Sequence, residues 1–246
     1  MNKDLIYLST TASDAGDVAR KYCLGIEIAE FCTPWNLDDS FVETDETVRK
    51  AVDGVDRRVF HAPFSELFPC AIDPKARELA AFRYRQAIRI AKAYGAEKVI
   101  IHGGYNPWLY YPIWYTEQSV VFWKEFLQED PGVQLVLENV LETEPELLLE
   151  ILDGVNDPRL GMCLDIGHAN AYSKVSLTDW VDRCAKHIRH VHIHNNGGTK
   201  DAHQPLFDGT IPMKELLDHI QTACPGATMT MELYEAEPSV RWLLEE

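Results

Sequence analysis

Apolar runs rich in Val, Ile and Leu return roughly every 25 to 35 residues along this chain, and a helical pattern follows each one. The runs are Leu5–Ser9, Gly25–Glu30, Arg58–His61, Lys98–His102, Val133–Glu138, Leu160–Asp165, Arg189–Asn196 and Ala227–Leu233. The helical stretches are Ser13–Tyr22, Phe41–Asp53, Pro74–Tyr94, Thr116–Gln128, Pro145–Leu152, Leu177–His187, Met213–Thr222 and Pro238–Glu245. Pro74 suits a first helical turn, Gly95 a C-terminal cap, and Thr178 or Ser176 an N-cap. Eight β–α units in 246 residues predict an α/β fold, a single (β/α)8 TIM barrel over 1–246. A doubly wound open sheet is the competing layout. It would carry a Gly-rich nucleotide turn after an early strand, and Ser9-Thr-Thr-Ala-Ser-Asp-Ala-Gly16 is not one.

Charge and cysteine usage narrow the classes of partner. Acidic residues outnumber basic ones 39 to 23, a net charge of −16, which opposes generic affinity for nucleic acid. The six cysteines are scattered with no C-x-x-C pair, as expected of reduced thiols in the cytoplasm. No apolar run is long enough to span a bilayer, and the N-terminus lacks a signal-peptide core.

The ends of the strand candidates hold the chemistry. They read Glu30, His61, His102, Glu138, Asp165, His192 and Glu232. Barrel active sites lie at the C-terminal ends of strands, and random placement would scatter such residues through helices and loops as well. Glu138, Asp165, His192 and Glu232 form a mixed carboxylate–imidazole set suited to a divalent cation. Three carboxylates favour Mn²⁺ or Mg²⁺, and added imidazoles shift the balance toward Zn²⁺. Co²⁺ fits the same set.

In Arg189-His-Val-His-Ile-His-Asn-Asn196 the histidines alternate with apolar residues, so a strand presents His190, His192 and His194 on one face. A metal satisfies such a face; the plainer alternative is that one or two of them hydrogen-bond neighbours. His168, three residues after Asp165, and the pair Asp201 and His203 in the loop after the seventh strand could complete a second or third metal position.

Together these segments resemble the xylose isomerase-like TIM-barrel superfamily, which includes endonuclease IV and many sugar isomerases and epimerases. The resemblance runs from about Gly25 to Glu232 and rests on Phe60-His-Ala-Pro63, Ile101-His-Gly-Gly104, Leu137-Glu-Asn139, Leu164-Asp-Ile-Gly-His168, Val191-His-Ile-His-Asn195, Asp201-Ala-His203, Asp208-Gly-Thr-Ile211 and Met231-Glu-Leu233. It implies a four-ligand site of Glu138, Asp165, His192 and Glu232, with His194 the other candidate for the imidazole ligand. The family often has Asp where this chain has Asn195. In endonuclease IV the positions matching His61, His102, His168, Asp201 and His203 also bind zinc, so these residues are candidates for further metal or for substrate.

The expected activity is that of a metal-dependent isomerase or epimerase of a sugar or related polyhydroxy carbonyl compound. Glu138 and Glu232 would act as base and acid, with proton transfer through a metal-stabilised enediolate. The alternative is a multinuclear zinc phosphoester hydrolase of the endonuclease IV kind; a barrel that binds without turnover is a third reading. The loops after the third, fourth and sixth strands hold almost no Lys or Arg apart from Lys174, which opposes a polynucleotide. A small molecule, a sugar or sugar phosphate, is the expected partner. The aromatic stretch Tyr105–Tyr115 follows the fourth strand, where Tyr105 and Trp108 would form a substrate wall, joined by Phe31 and Trp35. Core packing or a homo-oligomer contact is the other use for it.

Overall fold

The computed structural model describes residues 2–245. Eight parallel strands close into a barrel in chain order. They are β1 (Ile6–Ser9), β2 (Gly25–Ile28), β3 (Arg58–His61), β4 (Lys98–His102), β5 (Gln134–Glu138), β6 (Leu160–Asp165), β7 (Ile188–Ile193) and β8 (Thr228–Met231). β8 pairs with β1 to complete the ring. The helices are α1 (Ala15–Tyr22), α2 (Pro34–Leu37), α3 (Phe41–Val52), α4 (Pro74–Ala93), α5 (Pro112–Phe126), α6 (Glu146–Val155), α7 (Ile166–Tyr172), α8 (Leu177–Cys184), α9 (Met213–Ala223) and α10 (Glu237–Glu245). The (β/α)8 barrel expected from the spacing of apolar runs is the fold. Among the described residues no helix is long and apolar enough to cross a membrane.

Strand alternation divides the apolar residues between two layers. Ile6, Leu8, Ile26, Ile28, Val191 and Ile193 pack outward with the helices in the main core. Tyr7, Val59, Ile100, Val136 and Cys163 fill the barrel interior. Gly25 also faces inward: a Cβ there would run into the Tyr7 ring, so the missing side chain makes room for that tyrosine. Glu27, two residues on, points the same way and is fully enclosed.

An irregularity sets the facing of the histidine strand. Met162 pairs with Ile188, but Cys163 pairs with His190, so Arg189 is an extra residue on β7. Strict alternation would put Ile188 and His190 on one face. The bulge lets Ile188 join the outer core while His190 and His192 face inward.

Element ends explain most differences from the sequence reading. α5 starts at Pro112, not Thr116, because proline pre-sets the first helical turn inside what reads as an aromatic loop. α6 continues past Leu152 to Val155, where Asn156 at φ 51° stops it. Ser176, not Thr178, caps α8, its hydroxyl accepting from the Asp179 N–H. α7 was not expected at all. It is short and begins at once from β6, with the Asp165 carboxylate capping the His168 N–H.

Candidate metal centre

The strand ends bring one residue each to a common level. His102 pairs with Glu138, and Asp165 pairs with His192. Glu232 follows directly after β8. Nδ1 of His192 then faces Glu138 Oε1 at 3.4 Å, Glu232 Oε2 at 3.5 Å and Asp165 Oδ2 at 3.7 Å. The expected four-residue set is therefore gathered around a single point.

Glu138 joins this point to a second group. Its Oε2 lies 3.3 Å from His61 Nε2 and 3.5 Å from His102 Nε2. Its Oε1 lies 3.3 Å from His168 Nδ1. A third group forms where α7 meets the loop after β7. There Asp201 lies 3.0 Å from His203 Nε2, 3.3 Å from His168 Nε2 and 3.5 Å from His194 Nε2. His194 sits one residue beyond β7 and stacks on His203, with ring centroids 4.1 Å apart. His61, His102 and Glu138, and likewise His194, Asp201 and His203, offer ligand atoms within 4.8 Å of one another, as do Glu138, Asp165 and His168.

The donor atoms test whether a cation fits. Glu138 Oε2, Asp165 Oδ2, His192 Nδ1, both ring nitrogens of His194 and Asp201 Oδ1 are buried without a hydrogen-bond partner. Two pairs among them are at ion-pair distance without hydrogen-bond geometry, His192 Nδ1 with Asp165 Oδ2 at 3.7 Å and His194 Nε2 with Asp201 Oδ1 at 3.5 Å. Orphaned buried polar atoms are costly, and orphaned carboxylate oxygens and ring nitrogens in each of these adjoining groups fit divalent cations. His168 is held differently: Nδ1 faces the Asn139 carbonyl at 2.9 Å, fixing the ring.

Charge states follow from the same crowding. Burial works to raise Glu138 and Asp165, but the imidazoles around them hold both well below the usual carboxylate range. Burial likewise opposes charge on His168 and His192. Asp165 and Asp201 nonetheless lift His168 well above its ordinary value, and Cys163, Glu232, Glu27 and Glu138 do so for His192. Burial outweighs Glu138 at His102, whose pKa falls to about 3. Glu232 goes the other way from Glu138: burial raises it, with Glu27, Glu138 and Asp165 adding to the effect.

Several expected positions differ. Glu30 does not enter the barrel; it accepts a hydrogen bond from Thr10 at 2.6 Å in the turn after β2. The β2 carboxylate inside the barrel is Glu27, which sequence reading passed over because a mid-strand residue gave no strand-end signal. His190 lies a layer below the centre, held by Thr228 and Thr230, so the plainer reading suits that one histidine. Phe31 is core, stacked on Phe60. Tyr105 is buried against Tyr115, whereas Trp108 is 82% exposed and Trp35 is also exposed. The aromatic ring that lies on the cluster is Phe64, stacked on His102 at 4.3 Å. Its place four residues after Phe60, just beyond the Ala62-Pro63 stop, was the available signal.

With this geometry in place, the chain matches the family model described as xylose isomerase-like TIM barrel over residues 18–246. It belongs to that family. The family therefore accounts for the order of the strand-end motifs. The Methanocaldococcus jannaschii protein titled "Uncharacterized protein MJ1311" is 34% identical over 174 residues, covering 66% of this chain and 59% of that protein. The aligned chain thus spans less than two thirds of that relative. Among solved structures, the TTHB071 protein from Thermus thermophilus, soaked with ZnCl2, superposes with a TM-score of 0.79. It is 24% identical, and the match covers 98% of this chain and 97% of that one. A D-tagatose 3-epimerase-like protein is 25% identical with a TM-score of 0.75, covering 98% and 96% of the two chains.

Proposed function

We propose that the protein is a divalent-metal-dependent isomerase or epimerase of a sugar or related polyhydroxy carbonyl compound. The observation that carries this is the gathering of Glu138, Asp165 and Glu232 around His192 Nδ1, at 3.4, 3.7 and 3.5 Å. Two carboxyls whose surroundings push their pKa values apart are suited to divide the roles of base and acid. Glu138, held ionised, takes the proton from the carbon beside the carbonyl. Glu232, raised, returns one from the other side. A divalent cation held by Glu138, Asp165, His192 and Glu232 supplies stabilisation of the charge that develops on the substrate oxygens. Family membership and the similarity to a D-tagatose 3-epimerase-like protein support this reading.

The rim favours a small neutral substrate. The loops following the strands carry Lys174 and Lys200 as their only basic side chains, against a dozen acidic ones. A sugar suits that surface better than a sugar phosphate, and a polynucleotide least. Phe64 gives an apolar face beside His102, suited to sugar C–H surfaces. All six cysteines are free, in keeping with a proposed cytoplasmic site of action.

A second reading is favoured by a specific observation. Glu138 turns one oxygen to His61 and His102 and the other to His192 and His168. With Asp201, His194 and His203 nearby, that arrangement also suits a multinuclear zinc phosphoester hydrolase. The two are separated by metal analysis of protein purified without added metal, combined with His203→Ala. About one Mn per chain, unchanged by the substitution, supports the isomerase. Two or three Zn, with one lost in His203→Ala, overturns it. Exchange of solvent deuterium into ketohexoses is the direct assay, with hydrolysis of bis(p-nitrophenyl) phosphate as the competing one.

A further inference from the structure

His192 would serve the proposed centre through one particular ring nitrogen, and the layer beneath it decides which. Its Nε2 lies 3.2 Å from Glu27 Oε2, whereas Nδ1 is the nitrogen that faces Glu138, Asp165 and Glu232. The same oxygen of Glu27 is 3.3 Å from His190 Nε2. All three groups are fully enclosed. His190 is itself held at both nitrogens, Nδ1 2.6 Å from Thr228 Oγ1 and Nε2 2.9 Å from Thr230 Oγ1. At the bottom of the barrel Lys98 donates to Thr228 Oγ1 at 3.1 Å.

The directions of these bonds follow from what each group can do. An ammonium only donates, so Thr228 accepts from Lys98; of the two acceptors its hydroxyl proton can reach, the Arg189 carbonyl at 3.4 Å and His190 Nδ1 at 2.6 Å, the imidazole is the nearer and takes it. Neutral His190 then carries its proton on Nε2, facing Glu27 and Thr230. A charged His190 would also carry one there, so the result does not depend on its protonation. Glu27, as a carboxylate, only accepts. His192 must therefore place a proton on Nε2 to satisfy it. Nδ1 is then the nitrogen that faces Glu138, Asp165 and Glu232, and it exchanges its proton there for a cation while Nε2 keeps its own.

We infer that Glu27 is a positioning residue for the metal centre, setting His192 as the Nε2–H tautomer with Nδ1 as the ligating atom, and that Lys98, Thr228 and His190 form the chain that orients Glu27. The inference rests on the reading of Glu138, Asp165, His192 and Glu232 as ligands. It assigns work to two buried residues, Glu27 and His190, that the proposed reaction does not use. A carboxylate behind a ligating histidine fixes the ring and raises the basicity of the ligating nitrogen, and loss of such a partner typically costs about 10- to 100-fold in metal affinity.

The test uses the full chain labelled with ¹⁵N-histidine, metal-free and loaded with Zn²⁺. In the wild type His192 Nε2 carries an exchange-protected proton in both states, and only Nδ1 shifts on adding Zn²⁺. Glu27→Gln keeps the shape and removes the charge; its Zn²⁺ dissociation constant rises about 10- to 100-fold, and Glu27→Asp falls between the two. Zn²⁺ bound through Nε2, or a Glu27→Gln affinity within twofold of wild type, overturns the inference and leaves the metal site standing. A wild type that binds no Zn²⁺ overturns the metal site and the inference together. The wild-type spectrum decides the tautomer even where a variant fails to fold.

Discussion

Gly167 is the position where one added methyl group should report on the centre. It lies in the first turn of α7, against the ring of His194. A Cβ there meets Cε1, Nε2 and Nδ1 of that ring, and even the farthest, Nδ1, would be at 2.5 Å. Ordinary contact begins near 3.4 Å, so the ring must retreat by roughly 1.5 Å at its nearest atom. It has little room to do so. His194 is fully buried, stacked on His203 and 3.3 Å from Asp165 Oδ1. Overpacking of this kind costs about 1–3 kcal/mol, and Gly→Ala in a helix returns up to ~1 kcal/mol. The net loss for Gly167→Ala is then on the order of 1–2 kcal/mol, or a melting temperature lower by ~2–8 °C for a chain of this size. Calorimetry in chelator reads the stability, and metal analysis reads the centre, where Zn²⁺ held near Asp201 should fall. Gly226→Ala is the control, since a Cβ there meets nothing within 4 Å. If Gly167→Ala melts within a degree of wild type and keeps all its metal, the ring is not fixed as described and the reasoning fails.

Glu138→Gln should lower turnover on the true substrate by about 10²–10⁴-fold while circular dichroism stays native, because the amide keeps the shape and removes the base. Near wild-type turnover would remove Glu138 from the reaction. Metal affinity should weaken as pH falls, since His168 and His192 hold protons that a cation must displace; competition titrations with Zn²⁺ at pH 6 and 8 read this directly. In chelator the opposite trend should appear in stability. Against burial, the Asp201 contact holds His203 up from 6.5 to about 9, and a raised histidine stabilises fully below 6.5 and loses that contribution as pH rises through about 9. The loss is at most about 3 kcal/mol before screening, read as a falling melting temperature of the metal-free protein between pH 6.5 and 9. A melting temperature that is flat or rises over that window contradicts the His203–Asp201 pairing.

The sequence by itself determined the barrel and most of the candidate site. Strand and helix periods are local properties, so eight β–α units could be counted, and chain order in a parallel barrel is spatial order. Glu138, Asp165, His192 and Glu232 were legible because each ends an apolar strand, and strand ends in a barrel share a rim. What lies inside the barrel was decided by tertiary structure. Glu27 reads as an ordinary mid-strand residue, and only ring closure sets it against His190 and His192, 163 and 165 positions away. The facing of β7 also escaped the alternation rule, because the extra residue Arg189 exists only relative to the register of β6. Tyr105 and Phe31 read as mouth residues from their place after strands, yet they turn into the packing between strands and helices, while Phe64 turns onto His102. A sequence gives the level of a residue along its strand. The direction of its side chain depends on neighbours brought in by closure, and those contacts are long-range.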